Sequence, residues 1–67
     1  MLIKLTNLNN EITLINPNFL LTVEPNETGS YFQMHTGQST LSGDVKEMPE
    51  EILKRIRETE NETNANK

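Results

Sequence analysis

Four clusters of turn-forming residues divide the first two thirds of the chain into short segments, and this spacing constrains the fold more than any other feature. The clusters lie at residues 9–10, 16–18, 25–29 and 36–38, and they are rich in Asn, Pro and Gly. Asn tolerates a positive φ, Pro fixes its own φ and lacks an N–H, and Gly suits left-handed backbone. Chain reversals are therefore expected at all four positions, with extended chain between them.

The five segments between the turns alternate apolar and polar side chains, which predicts β-strands with one buried and one exposed face. The predicted strands cover residues 2–8, 11–15, 19–24, 30–36 and 39–44. The side chains assigned to their apolar faces are Ile3, Leu5, Ile12, Leu14, Phe19, Leu21, Val23, Phe32, Met34 and Leu41. Asn9-Asn10 is interpreted as a two-residue hairpin turn.

The stretch "MPEEILKRIRE" at residues 48–58 has the period of a helix. Pro49 suits the first helical position, and two glutamates follow it in the first turn, where the helix dipole favours acids. The apolar stripe consists of Ile52, Leu53 and Ile56. We predict a helix over residues 49–58 and a disordered tail over residues 59–67, which are polar almost throughout.

Together these elements predict an α+β, mainly β fold. Residues 1–58 are expected to form a single small domain, in which a five-stranded antiparallel meander or small open barrel is followed by one C-terminal helix. Short connections between the strands favour antiparallel neighbours, because a parallel pair needs a long crossover.

The small size of the chain predicts self-association. A chain of 67 residues buries only about 60% of the surface that its unfolded form exposes, and small domains usually need disulfides, a metal or a partner subunit. The sequence has no cysteine and one histidine, His35, which excludes disulfides and a His/Cys metal site. We therefore expect a homo-oligomer, a dimer or larger.

The charge distribution disfavours nucleic acids and anionic membrane surfaces as partners. The net charge is −4, and residues 1–43 carry one basic side chain, Lys4, against three acidic ones. Binding to a phosphate backbone needs clustered Lys and Arg. The sequence also contains no apolar stretch of the length of a signal peptide or a membrane span, so we expect a cytoplasmic protein.

Catalytic residues, metal ligands and cofactors are not predicted. His35 lies on the predicted exposed face of a strand, without a nucleophile motif beside it. Glu50 and Glu51 are adjacent helical residues that point about 100° apart, so they do not form a catalytic pair. Six residues remain as candidates for an interface or a ligand site, from the polar face of the fourth strand and the apolar stripe of the helix: Tyr31, Gln33, His35, Ile52, Leu53 and Ile56.

The stretch "IKLTNLNNEITLINPNFLLTVE" at residues 3–24 resembles the start of the FlbD/SwrD proteins, small bacterial factors linked to flagellar function and swarming. The matching residues are Leu5, Thr6, Leu8, Asn9, Asn16, Pro17, Leu20, Val23 and Glu24. "PEEILKRI" at residues 49–56 is similar to the closing helix of that family, and Asn10 stands where the family has a hairpin glycine. The resemblance implies a non-enzymatic interaction protein that binds a protein partner in motility.

Two alternatives remain open from the sequence. One is an oligomeric binder of a small ligand or nucleotide, such as a phage-type sponge, with pockets between subunits lined by Ser, Thr, Asn and His35. The other follows from a weaker resemblance to the CsrA-type RNA regulators, which have five strands, a C-terminal helix and a dimeric form. Asn7 replaces their first arginine, and only Lys46 lies near their helix-entry arginine, so RNA-backbone contacts are expected to be lost.

Overall fold

The computed structural model describes the backbone of residues 1–65 and the side chains of residues 1–61. Its elements are β1 Ile3–Thr6, β2 Ile12–Ile15, a 3₁₀ turn Pro17–Phe19, β3 Leu20–Asn26, β4 Gly29–His35, β5 Thr40–Val45 and α1 Pro49–Ala65. All strand pairs are antiparallel. The predicted mainly β fold with five antiparallel strands and one C-terminal helix is confirmed.

The five strands form two sheets rather than one continuous meander. β1 pairs with β2, and β3, β4 and β5 form a three-stranded sheet in that order. An antiparallel bridge between Asn7 and Val45 joins the end of β1 to the end of β5. The sheets are therefore connected at one corner, but they do not close into a barrel.

The β1–β2 hairpin turns through three residues, not the two that the sequence predicts. Asn7 donates its N–H to Glu11 O at 2.9 Å, and Asn10 donates its N–H to Asn7 O at 3.0 Å, so residues 8–10 form the loop. Asn10 has a φ of 65°, which is the left-handed conformation that commonly ends a three-residue hairpin loop. Asn tolerates this conformation better than most residues.

The longer loop changes the pairing register and exchanges the two faces of β2. Leu5 pairs with Thr13, so Ile15 is buried, whereas Ile12 and Leu14 point to the opposite face and are exposed. Because side chains alternate along a strand, a shift of one residue turns every side chain over. The assignment of Ile12 and Leu14 to a buried face is therefore wrong, and the cause is the length of the turn.

Two substitutions at Asn10 test the left-handed turn. We expect Asn10→Ala to be less stable than Asn10→Gly by about 1 kcal/mol, because a Cβ disfavours the left-handed region. Both substitutions remove the exposed hydrogen bond from Lys46 Nζ to Asn10 Oδ1, so its loss cancels in the comparison. Urea denaturation of the two variants measures the difference, and equal midpoints would contradict the turn described here.

A bulge at the start of β3 changes which of its side chains reach the core. The register shifts between Leu20 and Thr22. Leu20 and Val23 pack against the core, whereas Phe19 and Leu21 are exposed. The predicted apolar face is thus right for Val23 and wrong for the other two residues, because strict alternation cannot locate an inserted residue.

The core is small and consists of six buried apolar side chains from both sheets and the helix. They are Ile3, Leu5, Ile15, Phe32, Val45 and Ile52. Each such side chain contributes about 1.5–3 kcal/mol when fully buried. Leu41, the predicted core residue of the fifth strand, lies on the inner face opposite Met34 but is 54% exposed, since the fully buried part of this face ends one pair earlier, at Phe32.

Residues 45–47, which we call the junction, hold the two sheets together. Val45 pairs with Ser30 in the three-stranded sheet, and Lys46 donates its N–H to Thr6 O at 2.8 Å, next to β1. Ser30 is completely buried, and its Oγ donates to Glu47 O at 2.7 Å. The start of β4 and the edge of β1 therefore both depend on the junction.

Helix α1 begins at the predicted residue and extends further than predicted. The N–H groups of Glu51 and Ile52 donate to Met48 O at 3.0 and 3.1 Å, which forms the first turn around Pro49. The helix continues to Ala65, beyond the predicted end at residue 58, so the predicted tail is helical over residues 59–65. Residues 66–67 lie outside the described residues.

Candidate interaction surfaces

The predicted polar face of the fourth strand exists and forms part of a polar sheet surface. Tyr31, Gln33 and His35 alternate on the outer face of β4, opposite Asp44, Ser42 and Thr40 of β5 respectively. The exposed His35 Nδ1 lies 3.5 Å from Thr40 Oγ1. The row therefore offers hydrogen-bonding groups to a partner but little apolar area.

The apolar stripe of the helix divides between the core and the surface. Ile52 is buried, and Ile56 packs against the core while partly exposed, so both side chains hold the helix on the sheets. Leu53 is 47% exposed. Of the three helix candidates, Ile52 is thus enclosed by the chain itself, and Leu53 is the one most open to a partner.

The outer face of the β1–β2 hairpin carries exposed apolar side chains beside Lys4 and Thr6, although the sequence did not identify it as a surface. Ile12 is 68% exposed and Leu14 is 56% exposed, and Leu2 lies exposed immediately before β1. We call Leu2, Ile12 and Leu14 the hairpin patch. In the segment "ITLI", apolar residues stand at both even-numbered and odd-numbered positions. This was the one sequence signal for a strand with two apolar faces.

The backbone of β2 presents unpaired hydrogen-bonding groups along its outer edge. Along β1, Thr6 turns its N–H and C=O away from β2, toward Glu47 and Lys46. Thr6 lies opposite Ile12 in the register, so the N–H and C=O of Ile12 also point away from β1. The N–H and C=O of Leu14 point the same way, because the hydrogen-bonding direction repeats every second residue of a strand. Among the described residues, β1 is the only strand paired with β2.

Two of the other outer edges, those of β1 and β3, are covered or interrupted, whereas among the described residues the outer edge of β5 is bridged only at Val45, by Asn7. The outer edge of β1 is occupied by the junction and by Arg55, whose Nη1 donates to Lys4 O at 2.6 Å. The outer edge of β3 carries the bulge near Leu21 and Pro25, which has no N–H to donate. Natural proteins use such devices to prevent edge-to-edge pairing. The β2 edge carries no proline, lysine or bulge.

Glu47 is the most strongly held ionisable group of the junction. Its side chain is 8% exposed, and its carboxylate accepts hydrogen bonds from Thr6 N at 2.9 Å, Thr6 Oγ1 at 2.8 Å and Arg55 Nη1 at 3.0 Å. Burial raises the pKa of Glu47, but the hydrogen bonds from Thr6 and the charge of Arg55 outweigh burial and hold the pKa below its ordinary value. The ionised carboxylate of Glu47 therefore links β1 to α1.

An open groove of about 580 Å³ runs between the edge of β1 and the helix. Its lining residues are Leu2, Ile3, Lys4, Arg55, Glu58 and Thr59. Arg55 also binds Glu51 Oε2 through its Nε at 3.1 Å, so two carboxylates and a carbonyl oxygen already engage its guanidinium. The guanidinium of Arg55 is therefore already engaged within the protein, and Lys4 and Glu58 add one charge of each sign to the lining.

The part of the chain that the structure describes offers neither a metal centre nor a membrane-spanning helix. Within it, no three or more His, Cys, Asp and Glu side chains are grouped so that they could hold a metal ion. No helix over the described residues is both long enough and apolar enough to cross a membrane.

Comparisons of the chain with protein-family models, with curated proteins and with solved structures gave no match. The surfaces described above therefore rest on the geometry of the chain itself.

Proposed function

We propose that the chain is a non-catalytic interaction protein that works as a homo-oligomer and binds a protein partner, in the manner of the FlbD/SwrD flagellar and swarming factors. The cytoplasm is the proposed compartment, since a chain without cysteine suits a reducing environment.

The observation that carries the proposal is the imbalance between buried and exposed apolar side chains. Six apolar side chains are buried. Ten large ones are exposed: Met1, Leu2, Leu8, Ile12, Leu14, Phe19, Leu21, Leu41, Met48 and Leu53. Single exposed apolar residues are ordinary, but groups of them mark interaction sites. Covering these side chains in a complex would add to a core that is small for an independent domain.

Two groups of apolar side chains reach the surface, and they lie on different sheets. The hairpin patch belongs to the two-stranded sheet. On the three-stranded sheet, Leu20, Met34 and Leu41 form a row across the inner face, and the exposed Phe19 and Leu21 flank Leu20. We call the five residues of this second group the sheet-end patch. Two separate patches suit a protein that binds both itself and a different partner.

The motility role is supported by the resemblance of residues 3–24 to the FlbD/SwrD proteins. The left-handed backbone of Asn10 adds to this support, because the family's glycine would suit the same position. The 3₁₀ turn begins at Pro17, and the side chain of Asn16 accepts from Asn18 N at its start. The two matched residues Asn16 and Pro17 thus have a local structural role here.

Affinity capture from a motile bacterium that expresses the tagged chain tests the proposed function. We expect the wild type to retain a flagellar component, and the double variant Leu21→Ser/Leu41→Ser to retain at least tenfold less, because it removes apolar area from the sheet-end patch. Ser42→Ala, on the polar outer face of the same sheet, is the control and is expected to bind as the wild type does. Recovery of no flagellar component by the wild type would contradict the motility role.

A small-ligand binder is the second candidate, and the groove beside β1 is the feature that favours it. A thermal-shift series with nucleotides separates the two, because a ligand that binds the folded state raises the melting temperature. We expect no shift, since the guanidinium of Arg55 is already paired with Glu47 and Glu51. A dose-dependent rise that Arg55→Gln abolishes would favour the ligand binder instead.

A further inference from the structure

We propose that two copies of the chain associate by pairing the outer edges of their β2 strands antiparallel, about a two-fold axis that passes next to Thr13. The result is one four-stranded sheet, in the order β1, β2, second β2, second β1. This inference rests on the proposed self-association and deepens it by naming the surface and the partner, a second copy of this chain.

The edge itself supports backbone pairing. Ile12 and Leu14 each turn an N–H and a C=O outward, and antiparallel strands exchange both groups between residues that face each other. If Ile12 faces the second copy's Leu14, and Leu14 faces the second copy's Ile12, four hydrogen bonds form. Every outward backbone group of the strand is then used.

This register is favoured over registers shifted toward either end of β2, because the residues just outside the strand cannot pair. A two-fold axis at Leu14 would place Ile12 opposite the second copy's Asn16, whose carbonyl already accepts from Phe19 N at 3.1 Å. An axis at Ile12 would place Leu14 opposite Asn10, whose φ of 65° is that of a turn and not of a strand. The register centred on Thr13 avoids both ends.

The side chains support the same arrangement. On the outer face, Ile12 lies beside the second copy's Leu14 in two symmetric pairs, and such aliphatic cross-strand pairs stabilise a sheet. The two Ile12 and two Leu14 side chains then form one continuous apolar cluster, bordered by Lys4 and Thr6 of each copy. Glu11 lies opposite Ile15 of the second copy, so the two Glu11 carboxylates do not face each other.

A second copy of the chain is the partner that fits this edge, because the β2 edge is self-complementary and unprotected. A two-fold interface needs the same surface on both partners, and the sequence Ile12-Thr13-Leu14 reads as apolar, polar, apolar from either direction. Proline, lysine and bulges, which keep other edges from pairing, are absent from this strand. Since each copy contributes only four strand residues, we expect an interface at the small end of the known range.

Cysteine cross-linking tests the register directly, because the chain contains no cysteine of its own. At the centre of the pairing, the two Thr13 residues form a non-hydrogen-bonded pair with Cα atoms about 4.5 Å apart, which lies within disulfide range. We expect Thr13→Cys, at a half-buried position, to form a disulfide-linked dimer at least tenfold faster than Thr22→Cys, at a more exposed threonine of β3. Equal rates would overturn the proposal.

A second pair of variants separates the edge pairing from self-association in general. Leu14→Lys and Leu21→Lys introduce the same charge at residues that are 56% and 60% exposed, so both are expected to fold. Placed in the Thr13→Cys chain, only Leu14→Lys is expected to abolish the rapid cross-linking. If the wild type is oligomeric, and the Leu14→Lys variant has the same mass in solution and the Leu14→Lys substitution leaves the cross-linking rate of the Thr13→Cys chain unchanged, the β2 pairing is overturned while the proposed function stands. A wild type that is monomeric up to about 1 mM overturns both.

Discussion

Replacement of Gly29 by alanine is expected to destabilise the protein by about 2–6 kcal/mol. An alanine Cβ would lie 2.3 Å from Val45 O and 2.5 Å from both Lys46 C and Lys46 O. These atoms are backbone of the junction, so they cannot move aside as a flexible side chain would. Overpacking of this kind costs about 1–3 kcal/mol, and the φ of 143° adds about 1–3 kcal/mol of strain for a residue with a Cβ.

The expected loss is large compared with the total stability of the chain, which is about 3–10 kcal/mol for its length. Gly37→Ala is the control. Gly37 also has a positive φ, 93°, but a Cβ there meets nothing within 4 Å, so only the backbone strain remains. Chemical denaturation of the two variants separates strain from the close approach of β4 to the junction. Equal losses of free energy would show that the close approach is absent.

Glu47→Gln is expected to destabilise the protein by about 1.5–3 kcal/mol at neutral pH. The substitution keeps the size of the side chain but removes the charge that accepts from Thr6 and Arg55, and hydrogen bonds to charged groups contribute about that much. Glu51→Gln is the control, because its pair with Arg55 is partly exposed, with side-chain exposures of 36% and 40%. Such surface pairs contribute about 0–1 kcal/mol. Urea denaturation of both variants gives the comparison.

The difference between the wild type and Glu47→Gln is expected to decrease in acid. The pKa of Glu47 in the folded protein lies below the ordinary value of 4.5, so the unfolded chain takes up its proton first as the pH falls. The stabilisation by Glu47 is therefore complete above pH 4.5 and is lost as the pH falls through the lower, folded pKa. Unfolding free energies measured from pH 7 to pH 3 check this, and a constant difference between the two proteins would contradict it.

Alternation and turn chemistry were sufficient to predict the number of strands, their antiparallel pairing and the start of the helix, but not their division into two sheets. The faces of β4 were also predicted correctly, because Tyr31, Gln33 and His35 alternate with the apolar Phe32 and Met34, and the pairing with β5 has no bulge. Pro49 followed by two glutamates marked the helix start for reasons that are local to those residues.

The surfaces were harder to predict because they depend on single-residue changes in register. One additional residue in the hairpin loop turned Ile12 and Leu14 outward, and the bulge in β3 left Leu21 exposed. The hydrogen bond between Thr6 and Glu47 joins residues 41 positions apart in the sequence. A pattern confined to a short window contains no sign of such a contact. The end of the helix was missed because residues 59–65 lack an apolar stripe, which was the criterion for predicting it.

Self-association of the chain through its exposed apolar side chains is tested most directly by sedimentation equilibrium of the wild type over a series of concentrations. A single chain has a mass of 7.7 kDa. We expect a mass that rises with concentration to at least twice that value, because the six-residue core leaves the hairpin patch to be covered by a second copy. A folded protein that remains at 7.7 kDa up to about 1 mM would contradict self-association.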